Sequence, residues 1–182
     1  NLATWNPSML NPEMHTQLAF SFADYFADVK YGYAGFAYHI DKVGTFALTT
    51  TRIDYGKFRE TDNTGAVIGE FSAGEYGINI GYSRMLDSNF SIGATGKFIQ
   101  SNLYLWKASG LGLDVAARYK LPRQNFTASI LFRNMGVMLN SYTDGVKEKL
   151  PFEVEAGIAF KPKHMPFRFS FAFTNLQKWD LT

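Results

Sequence analysis

The chain has no cysteine, which excludes a disulfide framework, a thiolate metal site and a cysteine nucleophile, while leaving the compartment open. It also lacks any run of about 18 apolar residues, so it holds no transmembrane helix. A β-barrel would leave no such run either, because its lipid-facing residues alternate with small and polar ones, and a mean hydropathy of −0.14 is compatible with that. Charge is scarce: 19% of the residues are Asp, Glu, Lys or Arg, below the roughly 25% usual in soluble proteins. A net charge of only +2 points to neither nucleic acid nor disorder. The first residues form no basic-then-apolar leader, as expected if a secretory signal has been removed or was never present.

What the chain does have is aromatics, 16% of its residues, and an ordered way of placing them. In Phe167-Arg168-Phe169-Ser170-Phe171-Ala172-Phe173-Thr174 a β-strand puts four phenylalanines on one side and the rest on the other. The same alternation recurs along the chain. Leu18, Phe20 and Phe22 mark a first strand, and a short connection over residues 24–29 leads to a second over Lys30–Ile40. After the turn Asp41-Lys42-Val43-Gly44, a Thr-rich strand runs over residues 45–54. Tyr76, Ile78, Ile80 and Tyr82, with Arg84 at the end, form a hairpin with Phe90, Ile92, Ala94 and Phe98 across Asp87-Ser88-Asn89. Leu111, Leu113, Val115, Ala117 and Tyr119 precede the turn Pro122-Arg123-Gln124-Asn125, and Phe126, Ala128, Ile130 and Phe132 come after it. Phe152, Val154, Ala156, Ile158 and Phe160 lead through residues 161–166 into the Phe strand.

The pattern predicts an all-β chain of roughly nine strands in a single domain, with residues 1–12 as an N-terminal loop and 13–182 as strands. Many predicted strands reach the ~9–11 residues that cross a bilayer. Connections alternate between these short turns and longer polar stretches at 55–74, 101–110 and 134–150. That up-and-down rule favours an antiparallel transmembrane barrel over a soluble sandwich. Short turns would face the periplasm, which leaves the last strand running outward. Because bacterial single-chain barrels use an even number of strands, further strands are expected beyond this sequence.

The opposite face is small and polar with scattered charges. Glu153 and Glu155 lie two apart, a spacing a hydrolase could use. They are better read as lumen carboxylates neutralised by Lys97, Arg118, Arg133 and Arg168, with Asp114 in the same network, because isolated buried charges are costly. His15, His39 and His164 lack metal-ligand spacing, so no metal is expected. Gly110-Leu111-Gly112-Leu113-Asp114 leads into a strand where a phosphate loop would need a helix. Ser109 has no nucleophile motif around it. Tyr82, Trp106, Tyr119 and Trp179 read as interface-belt aromatics. No catalytic constellation stands out, and neither enzyme activity nor a cofactor is expected.

Several short segments resemble a known family. Asn6-Pro7-Ser8-Met9-Leu10 is similar to the hatch segment of FadL-like outer-membrane proteins. Residues 70–77, the Lys97 strand, Gly112-Leu113-Asp114, Phe132-Arg133-Asn134-Met135-Gly136 and the close over residues 164–180 resemble the PorV/PorQ branch of that family, and the close is most similar to its PorQ side. The resemblance implies a barrel of roughly fourteen strands, with residues 1–12 as a hatch, in the bacterial outer membrane. It further implies a non-enzymatic role in the type IX secretion system, in a cell-surface attachment complex with PorU-like, PorV-like and PorZ-like proteins. Partner docking is then expected on outer loops, at Thr61, Asp62, Asn63, Tyr142, Asp144, Lys147 and Glu148. The other reading that the resemblance allows is a FadL-like transporter of hydrophobic small molecules.

Overall fold

The computed structural model describes residues 5–142 and 148–178. Their strands form one antiparallel sheet of nine in chain order, with β1 and β9 as its edges and no closure between them. The strands are β1 Gln17–Asp24, β2 Lys30–Ile40, β3 Gly44–Thr61, β4 Val67–Met85, β5 Phe90–Leu103, β6 Trp106–Leu121, β7 Phe126–Asn140, β8 Glu153–Phe160 and β9 Phe169–Phe173.

Two expected long connections, 55–74 and 101–110, turn out to be mostly strand, and the third, 134–150, gives up residues 134–140 to β7. β3 continues to Thr61 and β4 begins at Val67, so the polar stretch at 55–74 shrinks to a turn over residues 62–66. The cause is a bulge: Tyr55 and Gly56, the latter at φ 78°, stand against one residue of β4. A bulge shifts the two-residue period by one, so alternation read along the sequence breaks there although the ladder continues. A second bulge sets Arg133 and Asn134 opposite Asp114, and it hid the upper half of β7 in the same way. The stretch at 101–110 is a hairpin turning at Tyr104, φ 57°, and Leu105, with Leu103 paired to Trp106.

The two faces differ sharply. One presents large apolar side chains to the surroundings: Phe20 is 76% exposed, Ile80 63%, Leu48 54% and Phe173 52%. The other buries polar ones, among them Thr45, Thr49, Asn79, Ser83, Ser91, Thr95 and Asp114. A water-soluble protein does the reverse. Among the described residues the apolar face carries no charge between Tyr76 and Tyr82 on β4, Phe90 and Phe98 on β5, Leu111 and Leu121 on β6, or Phe126 and Phe132 on β7.

This apolar band runs obliquely across the ladder. The register row through Tyr82 continues through Ala94, Val115, Phe132 and Val154. On β4 the band reaches Tyr76, six positions to one side of that row; on β9 it stops at Phe173, whose partner Ala156 lies two positions to the other side. The opposite boundary slips in the same sense, from Tyr82 on β4 to Phe160 on β8. At about 3.3 Å per residue and ~4.8 Å between strands, the band crosses the rows at roughly 45° over β4–β9. From β1 to β4, by contrast, its edge keeps to one row, through Phe22, Gly32, Arg52 and Tyr76.

Past the Tyr76 end of the band the faces exchange character. The side that was apolar now carries Lys57, Arg59, Glu70 and Ser72, with Lys57 Nζ 3.6 Å from Glu70 Oε2. The other side carries Phe58 stacked on Phe71 at 5.2 Å, and Phe71 against Tyr104 at 4.6 Å.

Candidate functional site

The polar face is covered by the N-terminal segment. Its two Asn-Pro steps fold as 3₁₀ turns, Pro7–Met9 and Pro12–Met14, because Asn6 and Asn11 take extended backbone and their side chains cap the two turns. Asn6 Oδ1 accepts from Ser8 N at 3.1 Å and Ser8 Oγ at 2.6 Å. Asn11 Oδ1 accepts from Glu13 N at 3.0 Å. Leu10 is buried against Ala37 and Ala47, with Met14 packed beside them.

The segment is held by backbone contact and by charge. Pro7 and Ser8 lie directly on Gly93, where a Cβ would come within 2.6 Å of Pro7 O and Ser8 N. Ser91 Oγ donates to Ser8 O at 2.9 Å, and Arg118 Nε donates to Ser91 Oγ at 3.2 Å. Arg133 Nη2 donates to Trp5 O at 3.0 Å, its guanidinium carbon lies 5.4 Å from the Trp5 ring centre, and it pairs with Glu155 Oε1 at 3.2 Å.

Lys97, Asp114 and Asn134 form a second group. Lys97 Nζ pairs with Asp114 Oδ2, and the two side chains are 11% and 0% exposed. Lys97 also donates to Asn134 Oδ1 at 3.2 Å, and Asn134 N donates to Asp114 Oδ1 at 2.9 Å. The bulge makes this possible: Asn134 sits in the left-handed region, φ 56°, and turns its N–H toward the carboxylate.

Of the seven predicted network residues, Lys97 and Asp114 pair, as do Arg133 and Glu155, while Arg118 bonds a hydroxyl. Glu153 faces Arg133 in register, yet neither it nor exposed Arg168 makes an ion pair among the described residues. No group of three or more His, Asp or Glu among the described residues could hold a metal ion. These groups can fix a strap to a sheet; they do not converge on a reactive atom.

The predicted docking residues fare unevenly. Asp62 is committed to its own turn, accepting from Thr64 N at 2.8 Å, Thr64 Oγ1 at 2.7 Å and Ala66 N at 2.9 Å. The Thr64 hydroxyl, then the backbone N–H groups, hold its carboxyl below the usual range. Thr61 and Asn63 are exposed, Tyr142 and Glu148 are half-buried, and Asp144 and Lys147 lie outside the described residues. More prominent are Leu105 at 76% exposure and Ile68, which sequence reasoning passed over, and Trp106, which it read as an interface-belt aromatic; all three lie on the two projecting hairpins. Tyr104 Oη donates to Glu60 Oε1 at 2.8 Å and ties these hairpins together; this bond is the main reason its phenol is pushed up. The change of sides by charge and aromatics at residues 57–72 was the signal for them.

No protein-family profile and no curated protein matches this chain. The site therefore rests on its own geometry.

A first prediction concerns the strap. Gly93→Ala is expected to lift Pro7 and Ser8 while leaving the sheet intact, because the methyl meets backbone that no side-chain rotation can clear. Limited proteolysis should cut the N-terminal segment in this variant and spare it in Gly96→Ala, where a Cβ has nothing within 4 Å.

Proposed function

We propose that this chain belongs to an outer-membrane β-barrel that acts as a non-enzymatic anchor for a surface protein. The observation that carries the membrane part is the inverted distribution of polarity: an exposed, charge-free apolar band on a sheet whose other face buries hydroxyls, an amide and an ion pair. The oblique course of the band supports it, since barrel strands tilt about 35–45° from the membrane normal. On β6 the band spans Leu111 to Leu121, about 33 Å of strand. At a 45° tilt this covers ~23 Å, close to the ~25 Å apolar height of outer-membrane barrels. The exchange of faces beyond Tyr76 has the same cause: outside hydrocarbon, a strand turns its charges to water again. The unpaired groups of β1 and β9 need partners in lipid, which a closed barrel would supply.

The anchoring part rests on the two hairpins that run past the band, braced by Phe58, Phe71 and Tyr104 and tipped by Leu105 and Trp106. Exposed apolar residues on a braced, water-facing tip are what a protein partner would bury. Together with the PorV/PorQ-like segments, this supports a subunit of a type IX secretion attachment complex. It would hold a PorZ-like protein at the surface near PorU-like and PorV-like members, with catalysis belonging to the partners. A FadL-like transporter is the second reading, favoured by a cavity of about 200 Å³ between the N-terminal segment and β2–β3, lined by Leu10, Met14, Tyr33, Ala37 and Ala47. The buried ion pair and the fastened strap favour the anchor.

Detergent extraction of native membranes followed by pull-down tests the proposal. Wild-type protein is expected to bring one large surface protein with it. The Leu105→Ala/Trp106→Ala variant, or deletion of residues 141–150, is expected to lose that protein by about tenfold while staying in the outer-membrane fraction. Unchanged co-purification in both variants rejects the anchor, and a fatty acid bound inside the extracted protein supports the transporter.

A further inference from the structure

We propose that the apolar face of β4–β7 holds one anionic phospholipid, with an acyl chain in a groove over Ala94 and Ala117 and its phosphate on Arg84. This rests on the membrane reading and goes beyond it, because most of a barrel's lipid contacts are exchangeable and this one is built.

The groove arises where two small residues interrupt a face of large ones. Ala94 pairs with Val115, and Ala117 lies between Ile92 and Ile130. Their short side chains leave about 390 Å³ walled by Tyr82, Ile92, Val115, Ile130 and Phe132, with Gly93 and Ala116 at its floor. The Tyr82 wall is fixed: its hydroxyl donates to Val43 O at 2.9 Å and its ring lies 5.0 Å from Phe46. The volume suits a hydrocarbon chain and is too small for a helix, whose diameter with side chains is about 10–12 Å.

The charge lies at one end. Arg84 comes two residues after Tyr82 on the same face of β4, directly across from Ile92, and is exposed. It makes no ion pair among the described residues, and nearby Asp87 is occupied by Asn89 N at 2.6 Å and Phe90 N at 2.8 Å. A guanidinium at the rim of hydrocarbon calls for an anion, and its planar fork suits phosphate oxygens. Groove and cation therefore adjoin at Ile92, as the chain and phosphate of one lipid would require. Arg84 is at the end away from the projecting hairpins, which the proposed orientation places in the periplasmic leaflet, where phospholipid is the available anion.

Native mass spectrometry of the full chain, delipidated in detergent and then offered phosphatidylglycerol or phosphatidylcholine, tests the assignment. Wild-type protein should keep one phosphatidylglycerol and prefer it over phosphatidylcholine about tenfold. Arg84→Gln should abolish the preference, and Ala117→Leu, which fills the groove, should lower retention of both lipids. Retention unchanged in either variant overturns the site while leaving the membrane reading standing. A chain that stays soluble and monomeric without any amphiphile overturns both.

Discussion

Replacing Lys97 with methionine is expected to destabilise the protein by about 3–5 kcal/mol, the cost of leaving one member of a buried ion pair alone. Asp114 has no exposed area, and its Oδ2 makes no hydrogen bond, so that the Lys97 ammonium is what balances its charge. Methionine keeps the length of the side chain, so the loss reports charge more than volume. The double variant Lys97→Met/Asp114→Asn should recover most of the loss. Asparagine retains an acceptor for Asn134 N, and its amide can donate to the Asn134 Oδ1 that the lysine has vacated. Parallel urea unfolding in the same detergent gives the comparison. Equal midpoints for wild type and Lys97→Met would show that water reaches the carboxylate and that the pair is no part of a closed interior.

The second large effect is expected at Gly136. A Cβ there would overlap the carbonyl oxygen of Leu111 and lie 2.7 Å from Gly112 Cα. Both obstacles are backbone of the neighbouring strand, just above the Asn134 bulge, so the upper β6–β7 ladder would have to part. Gly136→Ala should fall in the tail of point mutants above about 4 kcal/mol, or fail to fold. Heat-modifiable migration on a denaturing gel reads this directly. Gly96→Ala, with open space around its Cβ, should migrate as wild type; a Gly136→Ala protein that does the same would mean that the bulge is placed wrongly.

The Gly136 effect could not be argued from sequence. Phe132-Arg133-Asn134-Met135-Gly136 was visible as a motif, but its meaning depends on which residue of β6 lies opposite, and the bulge changes that pairing. The same limit explains the over-long connections. Tyr55 and Gly56 interrupt the period without interrupting the strand, and the polar residues of 57–72 look like loop until the exchange of faces past Tyr76 is seen. Charge pairing was likewise half legible. Both Glu153 and Glu155 stood on the right face, yet only Glu155 reaches Arg133, since partner choice depends on distances of a few ångströms across strands.

Alternation of large apolar with small polar residues is a one-dimensional property, and by itself it determined that this chain is β throughout, where most strands lie and which side of each is apolar. Local backbone chemistry did the same for the Asn-Pro turns, which need no distant partner. Contact between segments far apart in the chain was decided only in three dimensions. Pro7 on Gly93, Trp5 on Arg133 and Lys97 on Asp114 each depend on strand register, and register is set by turns and bulges acting together across the whole sheet.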